Sequence, residues 1–311
     1  MIKTINDLGF DVCLSDRESK RIHKGDFDYY IFTNSKFIND NLSVKNTIFY
    51  SCEPCSDQRV AAEKREIELA ANTWGIRRTS LRSADNNDSI AARMAQHSIV
   101  TGYTWSAETF DLPQEQVSQI PITIPYANLT NCRLYPARYS SKSVVWIGAG
   151  GWLLKGFNDV LELASANPDY KFYVIGTIEP VIEEKDFEKK IPNLTFVGYL
   201  QPWSSEFQAI MDESSIALCT SRSESGYGSG LACLIYGCYP IFSKESSFHK
   251  KVRGSVIGHN ETLLEVFKRT QEIEPHKKAE AAQENVEFVR RAYSNSAYAE
   301  VLKSILERQL K

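Results

Sequence analysis

From Val144 to Ser243 the chain repeats one unit: a short apolar run, a turn, and a stretch whose apolar positions return every three or four residues. The runs are VVWIG (Val144 to Gly148), KFYVIG (Lys171 to Gly176), LTFVG (Leu194 to Gly198), SIALCT (Ser215 to Thr220) and CYPIFS (Cys238 to Ser243). Between them Phe157, Val160, Leu161 and Ala164 fall on one helical face, and Phe207, Ile210 and Met211 on another. Unbroken apolar runs suit strands covered on both faces, and their alternation with helices builds a parallel sheet between two helical layers. Ligands of such sheets bind beyond the carboxyl ends of the strands, so the informative loops are those that follow the runs.

Two of these loops carry chemistry. In SRSESGYGSGLACLIYG, Ser221 to Gly237, a carboxylate (Glu224) and three glycines (Gly226, Gly228, Gly230) stand directly before an apolar helix. Glycines let the main chain turn sharply and bring its N–H groups to an anion, and a helix start adds unpaired donors and the positive end of a dipole. In WIGAGGWLLKG, Trp146 to Gly156, the glycines Gly148, Gly150 and Gly151 and the lysine Lys155 follow the first run of the same half. In a doubly wound sheet both loops open onto one crevice, which predicts a shared anion site.

The N-terminal half alternates more weakly. A helix is expected from Ile2 to Leu8, then strands at FDVCL, DYYIFTN and NTIFYS. A helix from about Asp57 to Asn72 and another near Ser89 to Met94 precede strands at HSIVTG and QIPITIP. Leu134 to Ser143 reads as a linker, and Pro275 to Lys311 as helical throughout. The expected domains are 1–136, 137–280 and a helical 281–311 that packs back across the junction.

Composition narrows the partners. The net charge of -3 gives no overall field for nucleic acid, so any anion site is local. The seven cysteines are odd in number and mostly lie in apolar runs, which fits reduced thiols. No export signal and no membrane-length apolar stretch is legible, so a cytoplasmic protein is expected, with room for peripheral membrane contact. Asp26-Phe27-Asp28 precedes a strand where a metal-holding pair should follow one. His23, His97, His249, His259 and His276 lack ligand spacing, so neither metal nor cofactor is expected.

Over residues 144 to 245 the order of motifs resembles the GT-B glycosyltransferases of family 4, retaining enzymes that use nucleotide-sugars. The residues that carry it are Gly148 with Lys155-Gly156, Asn193-Leu194-Thr195-Phe196-Val197-Gly198, Glu224 with Gly226-Tyr227-Gly228, and Gly237-Cys238-Tyr239-Pro240. The stretch from Ile48 to Phe110, with a helix rich in Glu and Arg and a basic turn, is similar to divergent members. The resemblance implies an α/β fold of two Rossmann-like, doubly wound domains facing a cleft, the N-terminal one shortened at its first strand. Three departures stand out: Ala232 occupies the place of the second signature glutamate, Ala149 that of an arginine beside Gly148, and the opening strand and glycine loop of the first domain are missing.

The resemblance implies transfer of a sugar, with retention and without metal, from a nucleotide-diphosphate sugar to a glycan or other hydroxyl acceptor. Glu224 would orient the sugar, while Lys155 and the N–H groups of Gly228, Ser229 and Gly230 would stabilise the leaving diphosphate. Gly148, Gly150, Gly151, Arg222, Ser223, Gly226 and Tyr227 would complete the donor site, with Arg222 a second cation. The base would lie near Gly176, Thr177, Tyr199 and Leu200. Two other readings stay open: a GT-B scaffold that binds sugar nucleotide or glycan without transfer, and a thiol redox protein. The latter rests on Cys52-Glu53-Pro54-Cys55, placed between a strand and a helix as in a thioredoxin-like motif.

Overall fold

The structure, a computed structural model, describes residues 1–14, 27–33, 46–82, 87–124, 134–148, 150–177, 179, 182 and 184–309. Among the described residues the strands form two parallel sheets. In the first, β1 (Tyr29–Phe32), β2 (Asn46–Ser51), β3 (His97–Thr101) and β4 (Val117–Ile120) lie side by side in chain order. The helices joined to them are α1 (Ile2–Asp7), α2 (Ser56–Trp74), α3 (Asp88–Met94) and α4 (Trp105–Glu108).

The second sheet runs through β5 (Ser143–Ile147), β6 (Lys171–Ile175), β7 (Leu194–Gly198), β8 (Ile216–Cys219), β9 (Tyr239–Phe242) and β10 (Ser255–Val256). Its spatial order is β10-β9-β8-β5-β6-β7, so the chain starts at β5, builds outward to β7, and returns to β5's other side with β8. That reversal is a topological switch point, and it opens a crevice between the loops after β5 and β8. The helices are α5 (Phe157–Ala166), α6 (Glu184–Lys190), α7 (Ser205–Glu213), α8 (Gly228–Ile235) and α9 (Leu263–Glu272). Val144, Trp146, Phe172, Val174 and Leu218 lie buried under α5 and α9, and Val145, Tyr173, Ala217 and Cys219 under α7 and α8. Burial on both faces explains why these strands read as unbroken apolar runs.

Two terminal helices join the halves. On α10 (Pro275–Ala292) Val289 packs into the second core, beside α8. On α11 (Asn295–Gln309) Leu302, Ile305 and Leu306 pack on Ile48, Tyr50 and Ile99 of the first sheet.

Some sequence expectations change. Phe10 to Leu14 (FDVCL) forms no strand: Asp11, Cys13 and Leu14 are exposed, and only Phe10 finds a ring neighbour, Tyr29, at 5.8 Å. The strand expected at QIPITIP stops at Ile120, because Pro121 has no N–H to offer a ladder. The described part of the expected linker is packed. Residues Pro136–Ser140 form a 3-10 turn that buries Arg138 and Tyr139. Asp28 stands directly before β1, whereas Asp26 and His23 lie outside the described residues.

Candidate active site

The loop after β5 is a tight coil from Gly151 to Gly156, in which the Lys155 N–H donates to Gly151 O (3.1 Å) and the Gly156 N–H to Leu153 O (3.0 Å). Gly156 has φ +89, and a Cβ there would lie 2.7 Å from Thr220 O. A residue without a side chain is therefore required where this coil touches the loop after β8. The Arg222 N–H donates to Leu154 O (2.8 Å) and stitches the two loops together. The result brings Lys155 Nζ to 2.5 Å from Glu224 Oε1, which also accepts from Ser221 Oγ at 3.2 Å. Both side chains of the pair are mostly covered, at 18% and 16% exposure.

Gly228, Ser229 and Gly230 are the first three residues of α8, and the capping residue Tyr227 makes no side-chain cap bond. The Leu231 N–H donates to Tyr227 O (2.9 Å), so the three preceding N–H groups have no acceptor within the helix. Lys155, Ser223, Glu224, Gly226, Tyr227 and Gly228 line one cavity of about 160 Å³. The N-terminal half lines its other side with Cys52, Glu53, Pro54, Arg59 and Arg82. A larger groove, of about 860 Å³, runs between β4 and α11 and contains no residue singled out by the sequence motifs.

Other residues expected at the donor site sit around this cavity without lining it. A Cβ on Gly148 would overlap the Trp146 ring, and one on Gly176 would overlap Gly148 O, so these two glycines are demanded by packing between strand ends. Their N–H groups donate to Ile175 O and Gly198 O, both at 2.9 Å, and join the loops after β5, β6 and β7. Thr177 and Tyr199 are exposed and Leu200 is partly covered. Gly150 and Gly151 have φ +57 and +70. Ala149 lies outside the described residues, as does Cys132. Ser229 and Gly230 follow Gly228 in the first turn of α8, and a Cβ on Gly230 would meet the Tyr227 and Phe248 rings.

Arg222 is occupied elsewhere. Its Nε donates to Glu66 Oε1 (2.8 Å) and its Nη2 to Asp159 Oδ1 (2.6 Å), in a triad that joins α2 of the first half to α5 of the second. Burial alone would lower the Arg222 pKa, but Asp159 and Glu66 outweigh it and push it up. Burial pushes Asp159 up against the pull of Arg222. Ser223 Oγ donates to Gln58 Oε1 (2.7 Å), and Gln58 Nε2 donates to Arg222 O (3.2 Å). One face of α2 is thus strapped to the loop that carries Glu224.

Sequence reasoning missed the cations from the first half: Arg59 lies within the helix α2, and the signal for Arg82 was the basic turn IRRTSLR, Ile76 to Arg82. Arg82 is held by the buried carboxylate of Glu63, which accepts from its Nη1 (3.1 Å), from the N–H groups of Leu81 and Arg82 (3.1 Å each), and from Ser80 Oγ. Burial alone would raise the Glu63 pKa, but these donors hold it below the usual carboxylate value. Arg78 pairs with Glu179, whose other oxygen accepts the Trp152 N–H at 2.8 Å. For Cys52 and Cys55 burial pushes both thiols up, opposite to what a reactive thiolate needs. Among the described residues no group of three His, Cys, Asp or Glu side chains could hold a metal ion.

This architecture recurs in solved structures. Sucrose-phosphate synthase from Thermosynechococcus elongatus superposes with a TM-score of 0.64 at 13% identity, over 91% of this chain and 74% of that one. TarM from S. aureus, solved with fondaparinux, alpha-GlcNAc-glycerol and UDP, gives 0.58 at 15% identity, over 87% and 52%. Anabaena HepE, solved with UDP and glucose, gives 0.54 at 15% identity, over 84% and 71%. The chain therefore spans about half the length of TarM. The class these features define is the GT-B fold, two Rossmann-like α/β units facing a cleft. No protein-family model matches the chain, and no curated protein matches it significantly.

Proposed function

We propose that the protein is a glycosyltransferase that moves a sugar from a nucleoside-diphosphate sugar to a hydroxyl of a glycan or other acceptor, with retention. The observation that carries this is the 2.5 Å Lys155–Glu224 pair beside the first N–H groups of α8, which have no acceptor within the helix, at the switch point of the second sheet. In a nucleotide-sugar the pyranose and the diphosphate share one oxygen. A carboxylate that accepts sugar hydroxyls and an ammonium that faces phosphate must therefore be neighbours, as these are. Gly226 and Tyr227 shape the turn, and Ser223 anchors it to α2. The base lies against the loops after β6 and β7, near Gly176, Thr177, Tyr199 and Leu200.

In the reaction the bond from the anomeric carbon to the diphosphate oxygen breaks, and its electron pair stays on the leaving phosphate. The acceptor oxygen bonds the same face of that carbon, and its proton passes to the leaving phosphate. Charge grows on the phosphate as the bond breaks, so Lys155 and the N–H groups of Gly228, Ser229 and Gly230 stabilise the transition state more than the bound donor.

Incubation with a panel of UDP-, GDP- and ADP-sugars tests the reading, with release of nucleoside diphosphate and glycosylated product as the readout. Ala232, buried on α8 at the place of the second glutamate in the signature that the sequence resembles, favours a second reading in which the scaffold binds donor without transfer. Binding without diphosphate release from any sugar in the panel would select that one. Absence of binding would remove both.

A further inference from the structure

Of the cations in the loops after β5 and β8, Lys155 lines the cavity while Arg222 is held by Glu66 and Asp159. A diphosphate carries more charge than one ammonium offsets, and the remaining donors at α8 are neutral N–H groups. The first half places two guanidinium groups on the cavity wall, Arg59 and Arg82. Arg59 is committed, with Nε to Pro54 O (3.0 Å), Nη1 to Glu53 and Nη2 near Asp88 Oδ2 (3.6 Å).

Arg82 is different. Glu63 takes its Nη1, while its Nε and Nη2 have no partner among the described residues, and the side chain is 24% exposed. Glu63 accepts from four donors in all, so it anchors the guanidinium without covering the rest of the fork. A Cβ on Gly151 would fall 2.5 Å from Arg82 Nη1, and the Gly151 carbonyl accepts the Lys155 N–H. Arg82 and Lys155 thus border the same turn from opposite halves of the molecule.

We propose that Arg82 is the second cation of the diphosphate site, reaching across the cleft to grip the phosphate that Lys155 and α8 leave unneutralised. The inference rests on the nucleotide-sugar reading above. A guanidinium offers two parallel donors to a phosphate, and an anchored one loses little freedom on binding. Its loss should therefore weaken diphosphates more than monophosphates.

The experiment is calorimetric titration of wild type, Arg82→Gln and Arg82→Lys with UDP, GDP and ADP and with the matching monophosphates. Unliganded melting curves check that each variant is folded. The expected result is a loss of about tenfold or more in diphosphate affinity for Arg82→Gln, a smaller loss for Arg82→Lys, and a monophosphate affinity changed by less than about threefold. Wild type that binds a diphosphate together with an Arg82→Gln variant that binds it equally well overturns the role of Arg82 and leaves the site reading intact. Equal losses for mono- and diphosphates also overturn it, since they signal general damage to the cleft. Wild type that binds none of the nucleotides overturns the site reading itself. Should Arg82→Gln not fold, Arg82→Lys carries the test, a preference for diphosphate undiminished from wild type being the overturning result.

Discussion

At the scale of single residues, the Glu224 carboxylate serves two partners: it accepts from Lys155 and Ser221 in the structure, and in the proposed reaction it accepts sugar hydroxyls. Glutamine keeps the shape and one acceptor but loses the charge that strengthens these bonds. Glu224→Gln is expected to cut turnover at least tenfold, about one charged hydrogen bond, while its melting point moves by less than about 3 °C, because the glutamine amide oxygen still accepts from Lys155 and Ser221. Paired turnover and melting measurements check this; a large fall in melting point with unchanged turnover would make Glu224 a structural residue. Lys155 and Glu224 were legible in the sequence because each follows an apolar run and lies within two residues of a glycine, Gly156 and Gly226. Arg82 was not. It lies 73 residues from Lys155 in a different half, and no local spacing relates the two.

At the scale of elements, the second sheet was the easiest part to read, since strands buried on both faces leave unbroken apolar runs. The first half was harder: its edge strands β1 and β4 are only partly buried, and FDVCL carries apolar residues in a segment that ends up largely exposed. The 3-10 turn at Pro136–Ser140 was read as a linker for its proline and small polar residues, yet it organises the helices behind the site. Arg138 Nε and Nη2 donate to Ser214 O, just past α7, at 3.1 and 2.9 Å, and Nη1 donates to Tyr236 O, just past α8, at 2.8 Å. A single buried guanidinium thus closes the carbonyl ends of two helices, a role that depends on three distant contacts and leaves no local pattern. Arg138→Met fills the space but strands those carbonyls away from water. It is expected to cost about 3 kcal/mol or more, read by urea unfolding, with nucleotide binding retained in whatever fraction stays folded.

At the scale of the whole molecule, the two halves meet through charges that neither satisfies alone. Arg222 stands between Glu66 of the first half and Asp159 of the second, with Asn158 Nδ2 donating to Glu66 Oε2 at 2.8 Å beside them. Two carboxylates facing one guanidinium are tolerable while it remains. Without it they become like charges in a buried place, one on each side of the cleft. Arg222→Met should therefore destabilise the protein by about 3–5 kcal/mol near neutral pH. The penalty should depend on pH in a definite direction. Burial already pushes Asp159 up with Arg222 present, and removing Arg222 removes the opposing pull, so the folded variant takes up protons more readily than its unfolded chain. A folded-state pKa raised above the unfolded one gives stability that is present at low pH and lost as pH rises through the folded value. The gap in melting point between wild type and Arg222→Met is therefore expected to be widest near pH 8 and to narrow toward pH 5. Adding Asp159→Asn to the variant should flatten that dependence, because the group that takes up the proton is gone. Melting curves of the three proteins from pH 5 to 8 provide the check: a gap that widens on acidification would mean that the carboxylates stay charged and that the triad does not bear the strain assigned to it.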